Sequence, residues 1–140
     1  MSMRQISDIV RHQNPLTLPS DTTVQHACEH MRDRRVGAVL VTEGNHRLVG
    51  IFTGRDAVCH VLAKGKHPAR TTLGEVMTRE PDTMLPGKTA IDALRLMRDG
   101  GYRHLPVVEN GKILGIVSSG DFRGLEQDRL DEETGIWERI

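Results

Sequence analysis

Aromatic side chains are scarce in this sequence: one Trp, one Tyr and two Phe among 140 residues. So few flat rings leave little for nucleic-acid bases to stack on, which argues against a single-stranded nucleic acid partner. Cysteine is scarce as well. Cys28 and Cys59 stand far apart, and they match neither a CxxC metal or redox pair nor a disulfide framework. Both are expected to be small buried hydrophobes. Net charge is absent, because nineteen basic and nineteen acidic residues cancel; no overall field draws the chain to nucleic acid or to an anionic membrane. No apolar run approaches the roughly 20 residues that cross a bilayer, and the opening "MSMRQISDIV" lacks the apolar block of a secretory signal. A soluble, cytoplasmic protein is therefore expected.

What the chain does contain is a repeat. A shift of 66 positions matches Val10 with Val76, Pro15 with Pro81, Thr17 with Thr83, Thr23 with Thr89, Ala27 with Ala93, and Met31-Arg32-Asp33 with Met97-Arg98-Asp99. After the turns "EGNHR" and "ENGK" the shift becomes 65, so that Gly50-Ile51 meets Gly115-Ile116 and Asp56 meets Asp121. A hairpin turn is where one extra residue is tolerated. The expected division is a first repeat over 7–65, a linker over 66–73, a second repeat over 74–127 and a tail over 128–140. Each repeat is too small to bury a comfortable core alone, so two copies covering each other's sheets about a pseudo-twofold axis are expected.

Each copy reads as β-α-β-β-α, an α+β unit with a small mixed sheet packed on two helices. In the second copy, Thr89-Ala90-Ile91-Asp92 has the [ST]xx[DE] form of a helix start, and Ala90, Ala93, Leu94 and Met97 share a face. Gly100-Gly101 stops the helix. Asn110-Gly111 between the apolar runs 105–108 and 113–117 predicts a tight hairpin. The first copy puts Val24, Ala27, Cys28 and Met31 on a helical face and predicts strands over 38–41 and 48–52. The second helices are expected to begin near Asp56 and Asp121.

"GIFTGRD" and "GIVSSGD" carry the chemistry. Gly50 and Gly115 interrupt apolar strands, where glycine marks a close approach by backbone or ligand. A hydroxyl follows, Thr53 or Ser118, and an acid three residues later, Asp56 or Asp121. At a strand end leading into a helix, the hydroxyl and free N–H groups suit a phosphate, and the carboxylate suits the paired hydroxyls of a ribose. The same residues also suit a purely structural role as helix caps and turn formers.

Together these motifs resemble a tandem pair of cystathionine beta-synthase (CBS) domains, a Bateman module. The resemblance is carried by "TAIDALRLMRDGGYRHLPVVENGKILGIVSSGD" and, more loosely, by "TVQHACEHMRDRRVGAVLVTEGNHRLVGIFTGRD", and it spans about residues 7 to 127. It implies binding of an adenosyl ligand (AMP, ADP, ATP, S-adenosylmethionine or NAD) in clefts between the repeats, with no required cofactor and no metal, and assembly as a homodimer. By resemblance, Asp56 and Asp121 hold ribose, Thr53 and Ser118 meet ribose or phosphate, and the segments around Thr17 and Thr83 border the adenine. Arg103 and His104, ahead of Pro106, occupy positions where such repeats present basic groups to phosphate. The first copy departs from this with Gly37 and Ala38, and its nearest cation is Arg55. An arginine grips phosphate bidentately and a histidine contributes according to pH, so the two clefts are expected to differ.

Other signals compete. "HACEH" fits HxxEH, an inverted zinc-protease pattern using His26, Glu29 and His30; these residues are expected on the solvated side of their helix. "GKT" at 87–89 lacks the upstream glycine of a P-loop, since Asp82 stands there. "RDRR" at 32–35 fits cations at a helix carboxyl end. Trp137 in the tail suggests docking on the chain itself or on a partner. The sequence thus predicts a stand-alone, non-enzymatic sensor that signals nucleotide occupancy to a client protein. The alternatives are a ligand-free dimerisation or interaction module and a small metal-dependent hydrolase.

Overall fold

Residues 4–122 are described by a computed structural model. In chain order they form α1 (Ile6–Val10), β1 (Thr17–Pro19), α2 (Val24–Arg34), β2 (Ala38–Glu43), β3 (Arg47–Thr53), α3 (Gly54–Asp56), α4 (Leu73–Val76), β4 (Thr78–Arg79), α5 (Ala90–Gly100), β5 (His104–Glu109) and β6 (Lys112–Ser118). A π-helical segment, Ala57–Leu62, continues α3, and a 3-10 turn, Ser119–Asp121, follows β6. The expected helix after Asp121, the tail and Trp137 lie outside the described residues.

The two longest helices show why the repeat folds as it does. Thr23 accepts the His26 N–H at 3.2 Å, and Thr89 accepts the Asp92 N–H at 3.2 Å. Each hydroxyl thereby satisfies a donor that a helix start would otherwise orphan. At the other end, Arg35 (φ 55°) and Gly101 (φ 74°) close α2 and α5 in the left-handed region. The apolar face of α2 buries Val24, Ala27 and Met31; that of α5 buries Ala90, Ile91, Ala93, Leu94 and Met97.

The chain divides into two compact units, one built mainly from residues 14–81 and the other from 4–13, 82–110 and 114–122. In the first unit, β1 runs parallel to β2, which is antiparallel to β3, which is antiparallel to β4, making one mixed sheet. Thr42 pairs with Leu48 but Val41 with Gly50, so Val49 is an extra residue. The loop between Glu43 and Arg47 has three residues where that between Glu109 and Lys112 has two, which accounts for the one-residue change of repeat shift. Leu16, Val24, Ala27, Met31, Val39, Val41 and Phe52 form the core with Val61, Leu73, Val76 and Met77. In the second unit, β5 pairs with β6, and Met84 bridges Val107 in parallel where the first unit has β1. Asn110 (φ 52°) and Gly111 (φ 77°) make the expected tight turn. Its core joins Ile6 and Val10 to Met84, Ala93, Leu94, Met97, Leu105, Val107 and Val117.

The lead segments are exchanged relative to sequence order. The first lead helix, α1, packs with the elements of the second repeat, while α4 packs with those of the first. The Ile6 N–H donates to Lys88 O and the Ala90 N–H to Arg4 O, both at 2.9 Å. The first unit repeats the arrangement, with Leu73 N–H to Thr22 O and Val24 N–H to Thr71 O, both at 2.8 Å.

One expectation fails. Cys28 packs against its core, and burial pushes its thiol pKa up, but Cys59 is exposed. The π-helical segment turns Val61, and partly Ala57, to the core; Cys59 falls off that face.

Candidate functional site

Both strand-end turns use the same local device. Thr53 ends β3 in extended conformation and caps α3: its N–H donates to Asp56 Oδ2 at 2.9 Å, its hydroxyl to the same oxygen at 3.2 Å, and its Oγ1 lies 3.3 Å from the Asp56 N–H. At the second turn the Ser118 N–H donates to Asp121 Oδ2 at 2.7 Å and the Ser118 hydroxyl to it at 3.3 Å. Each is a capping box, in which hydroxyl and acid satisfy one another across three residues. The acids stand at the third helical position and the hydroxyls at the cap.

The strand before each hairpin is drawn against its turn. The Gly54 N–H donates to Gly37 O at 3.1 Å, and the Ser119 N–H donates to Arg103 O at 2.9 Å. In the first unit, Ala38 pairs with Thr53, and Thr17 pairs with Leu40 two residues further along β2, so Thr17, Gly37, Ala38, Thr53 and Asp56 gather at one end of the sheet. Arg55 is exposed on the turn. In the second unit, Arg103, His104, Ser118 and Asp121 gather likewise. Pro106 is buried and its carbonyl accepts the Met84 N–H at 3.0 Å, which sets the exposed Thr83 one residue from that bridge.

The two acids differ in what surrounds them. Asp56 is buried, and its remaining oxygen, Oδ1, lies 3.1 Å from His60 Nδ1. Asp121 is half-buried, and its Oδ1 takes no hydrogen bond among the described residues. Basic groups stand around the second turn. Arg4 Nη2 donates to the Asp121 carbonyl at 3.0 Å. Burial lowers the His104 pKa; the Asp121 carboxylate opposes this and Arg103 adds to it.

Sequence reasoning missed His60 and Arg4. The i, i+4 spacing from Asp56 could have found His60 once a helix was expected there. Arg4 reaches its turn from 117 positions away, and no local pattern signals that.

The glycines inside β3 and β6 answer to the protein's own packing. A Cβ on Gly115 would stand 2.6 Å from Gln13 Oε1 and 2.8 Å from Val10 Cβ; one on Gly50 would meet the Met77 side chain and Thr78 O. On α2, His26 and Glu29 pair at 3.7 Å with side chains 62% and 46% exposed, and the His26 and His30 rings meet edge to face. Among the described residues no cluster of three or more His, Cys, Asp or Glu is placed to hold a metal, and no helix is long and apolar enough to cross a membrane.

Comparison with known proteins agrees with this architecture. The CBS domain family matches twice, over residues 6–62 and 73–127. The CBS domain-containing protein CBSCBSPB3 of Arabidopsis thaliana is 42% identical over 108 residues, covering 77% of this chain and 19% of that protein, so the chain spans about a fifth of that relative's length. A putative signal-transduction protein with CBS domains from Burkholderia ambifaria has a structure that superposes with a TM-score of 0.79 at 28% identity, over 84% of this chain and 89% of that one. The Pyrobaculum aerophilum protein PAE2072, solved in complex with AMP, shares the fold with a TM-score of 0.80 at 23% identity, over 91% and 98%. With two matched repeats, two capped strand-end turns and neighbours of one fold, this chain belongs to the CBS domain family and carries a tandem pair of CBS domains.

Proposed function

We propose that this CBS pair binds an adenosyl nucleotide of the AMP, ADP or ATP class at its strand-end turns and signals occupancy to a partner protein, with no catalytic step of its own. The observation that carries the reading is the state of Asp121. One carboxylate oxygen is fixed by Ser118, the other has no hydrogen-bond partner among the described residues, and His104 and Arg103 stand on the adjoining segment. A ribose donates two hydroxyls, which an ionised carboxylate accepts; a phosphate takes a charge-assisted bond from arginine and a hydrogen bond from a histidine N–H. The AMP held by PAE2072 is a ligand of this kind on the same fold. Thr17 and Thr83 border the adenine in this reading, and Arg55 is the phosphate cation of the first repeat.

Signalling follows from linkage. A nucleotide shifts the module only by as much as it binds one conformation better than another, and the partner then reads the change. The test is a thermal melt with AMP, ADP, ATP, S-adenosylmethionine and NAD. AMP or ATP raises the Tm, and Asp121→Ala abolishes the rise while Asp121→Asn, which can still cap Ser118, reduces it. Unchanged melting with the whole panel would overturn the reading.

A second reading, self-association independent of nucleotide, is favoured by Val58 and Leu62, which stand 58% and 64% exposed on the π-helical segment. Light scattering separates the two. A dimer whose stability ignores nucleotide and that dissociates in Leu62→Glu supports the second reading; a nucleotide-dependent assembly supports the first.

A further inference from the structure

The two turns share a capping box, but their carboxylates are not equally available. Asp56 spends Oδ2 on the N–H and hydroxyl of Thr53, and its Oδ1 faces His60 Nδ1 at 3.1 Å. An ionised carboxylate offers about four lone-pair sites; Thr53 takes two of them on Oδ2, and the His60 ring crowds the other oxygen. The side chain is only 10% exposed. A ribose diol that needs two acceptor sites there must displace the ring. The ring stands against Oδ1 as an ion-pair contact without hydrogen-bond alignment, and it occupies the approach to that oxygen.

His60 is placed there by the backbone. Residues Ala57–Leu62 are wound wider than an α-helix, with the Ala63 N–H reaching back five residues to Val58 O at 2.8 Å. This keeps residue 60 over the acid four positions earlier. The ring is 42% exposed, so it can leave Asp56 for solvent without opening the core. In the second repeat the residue four places after Asp121 is Leu125, which has no group to donate. The sequence therefore does not repeat this Asp-x-x-x-His pair.

We propose that His60 is a latch that closes the first repeat's turn, making the Asp121 turn the primary nucleotide site and the Asp56 turn a weaker one that fills only when His60 is displaced. The proposal rests on the adenosyl-binding reading above and divides it unequally over the two repeats. Giving up a partly screened ion-pair contact weakens binding by a factor of roughly two to five.

Native mass spectrometry with AMP tests it on the wild type, His60→Leu, Asp121→Asn and the double variant. The wild type takes one AMP tightly and a second roughly two- to fivefold more weakly; His60→Leu takes two with similar affinity. Asp121→Asn weakens the tight site, and the double variant keeps one tight AMP. Two equal sites in the wild type, or a second site unchanged by His60→Leu, would overturn the latch while leaving nucleotide binding intact. No AMP on any variant would overturn both. Should His60→Leu fail to fold, the wild type still decides: the His60 imidazole resonances move only in the second, weaker phase of an AMP titration, and movement in the first phase contradicts the latch.

Discussion

Thr23 and Thr72 face each other across an isolated antiparallel bridge, and each is the N-cap of its own helix. Gln5 and Thr89 repeat the relationship in the other unit, capping α1 and α5. Two helix starts are tied at one point, so a cap residue here acts on more than its own first turn.

Thr89 is the clearest case. Its N–H holds the Asp92 carboxyl below the usual carboxylate range; the Thr89 hydroxyl, Arg95 and Lys88 help, against the opposing effect of burial. Thr89→Ala is expected to cost about 1 kcal/mol of stability, typical of a lost cap, measurable as a shifted urea midpoint. A folded-state pKa below the unfolded one means that stability is present above the ordinary carboxylate range and is lost as pH falls through it. The midpoint difference between wild type and Asp92→Asn should therefore shrink as pH is lowered through about 4.

His104 is a base, and its sign follows from the same rule. Burial depresses its pKa, so folding favours the neutral ring. The stability this contributes is complete above about pH 6.5 and is lost as pH falls through the depressed value. His104→Gln should flatten the fall of Tm on the acid side of pH 6.5 relative to wild type. An identical pH profile in the variant would show that His104 does not titrate with folding.

Gly115 and Gly50 should differ in tolerance. A methyl at Gly115 meets Val10 Cβ, which is fixed to the backbone of α1, as well as Gln13 Oε1, which also accepts the Ile116 N–H at 2.9 Å. A methyl at Gly50 meets chiefly the flexible end of Met77, with Thr78 O at 3.0 Å. Overpacking of this kind costs roughly 1–3 kcal/mol. Gly115→Ala should fall at the upper end of that range and Gly50→Ala below it, as read from denaturant midpoints, and Gly50→Ala with Met77→Ala should remove the methyl's clash with that side chain.

Much of this architecture was legible because it is local. The Thr89 box, the Gly101 stop and the Asn110-Gly111 turn each depend on residues within a few positions, and all appear where the pattern puts them. The four expected hairpin strands are each found, each two residues longer than the pattern marks. What was not legible depends on partners distant in the chain. Val10 and Val76 are visibly apolar, but periodicity does not say which repeat receives them. Cys59 was misjudged because a π-helical turn rotates the buried face away from it. At the candidate site, the paired turns were found from two in-register motifs, whereas the reciprocal use of Asp56 and Asp121 by Thr53 and Ser118 leaves one oxygen of each acid already spent.

The most direct test of the nucleotide-binding reading is a crystal structure of the protein grown with AMP. The reading predicts ribose hydroxyls within hydrogen-bonding distance of Asp121, with the phosphate facing Arg103 or His104. AMP bound with its ribose away from both Asp121 and Asp56, or a saturated crystal with no nucleotide at either turn, would contradict it.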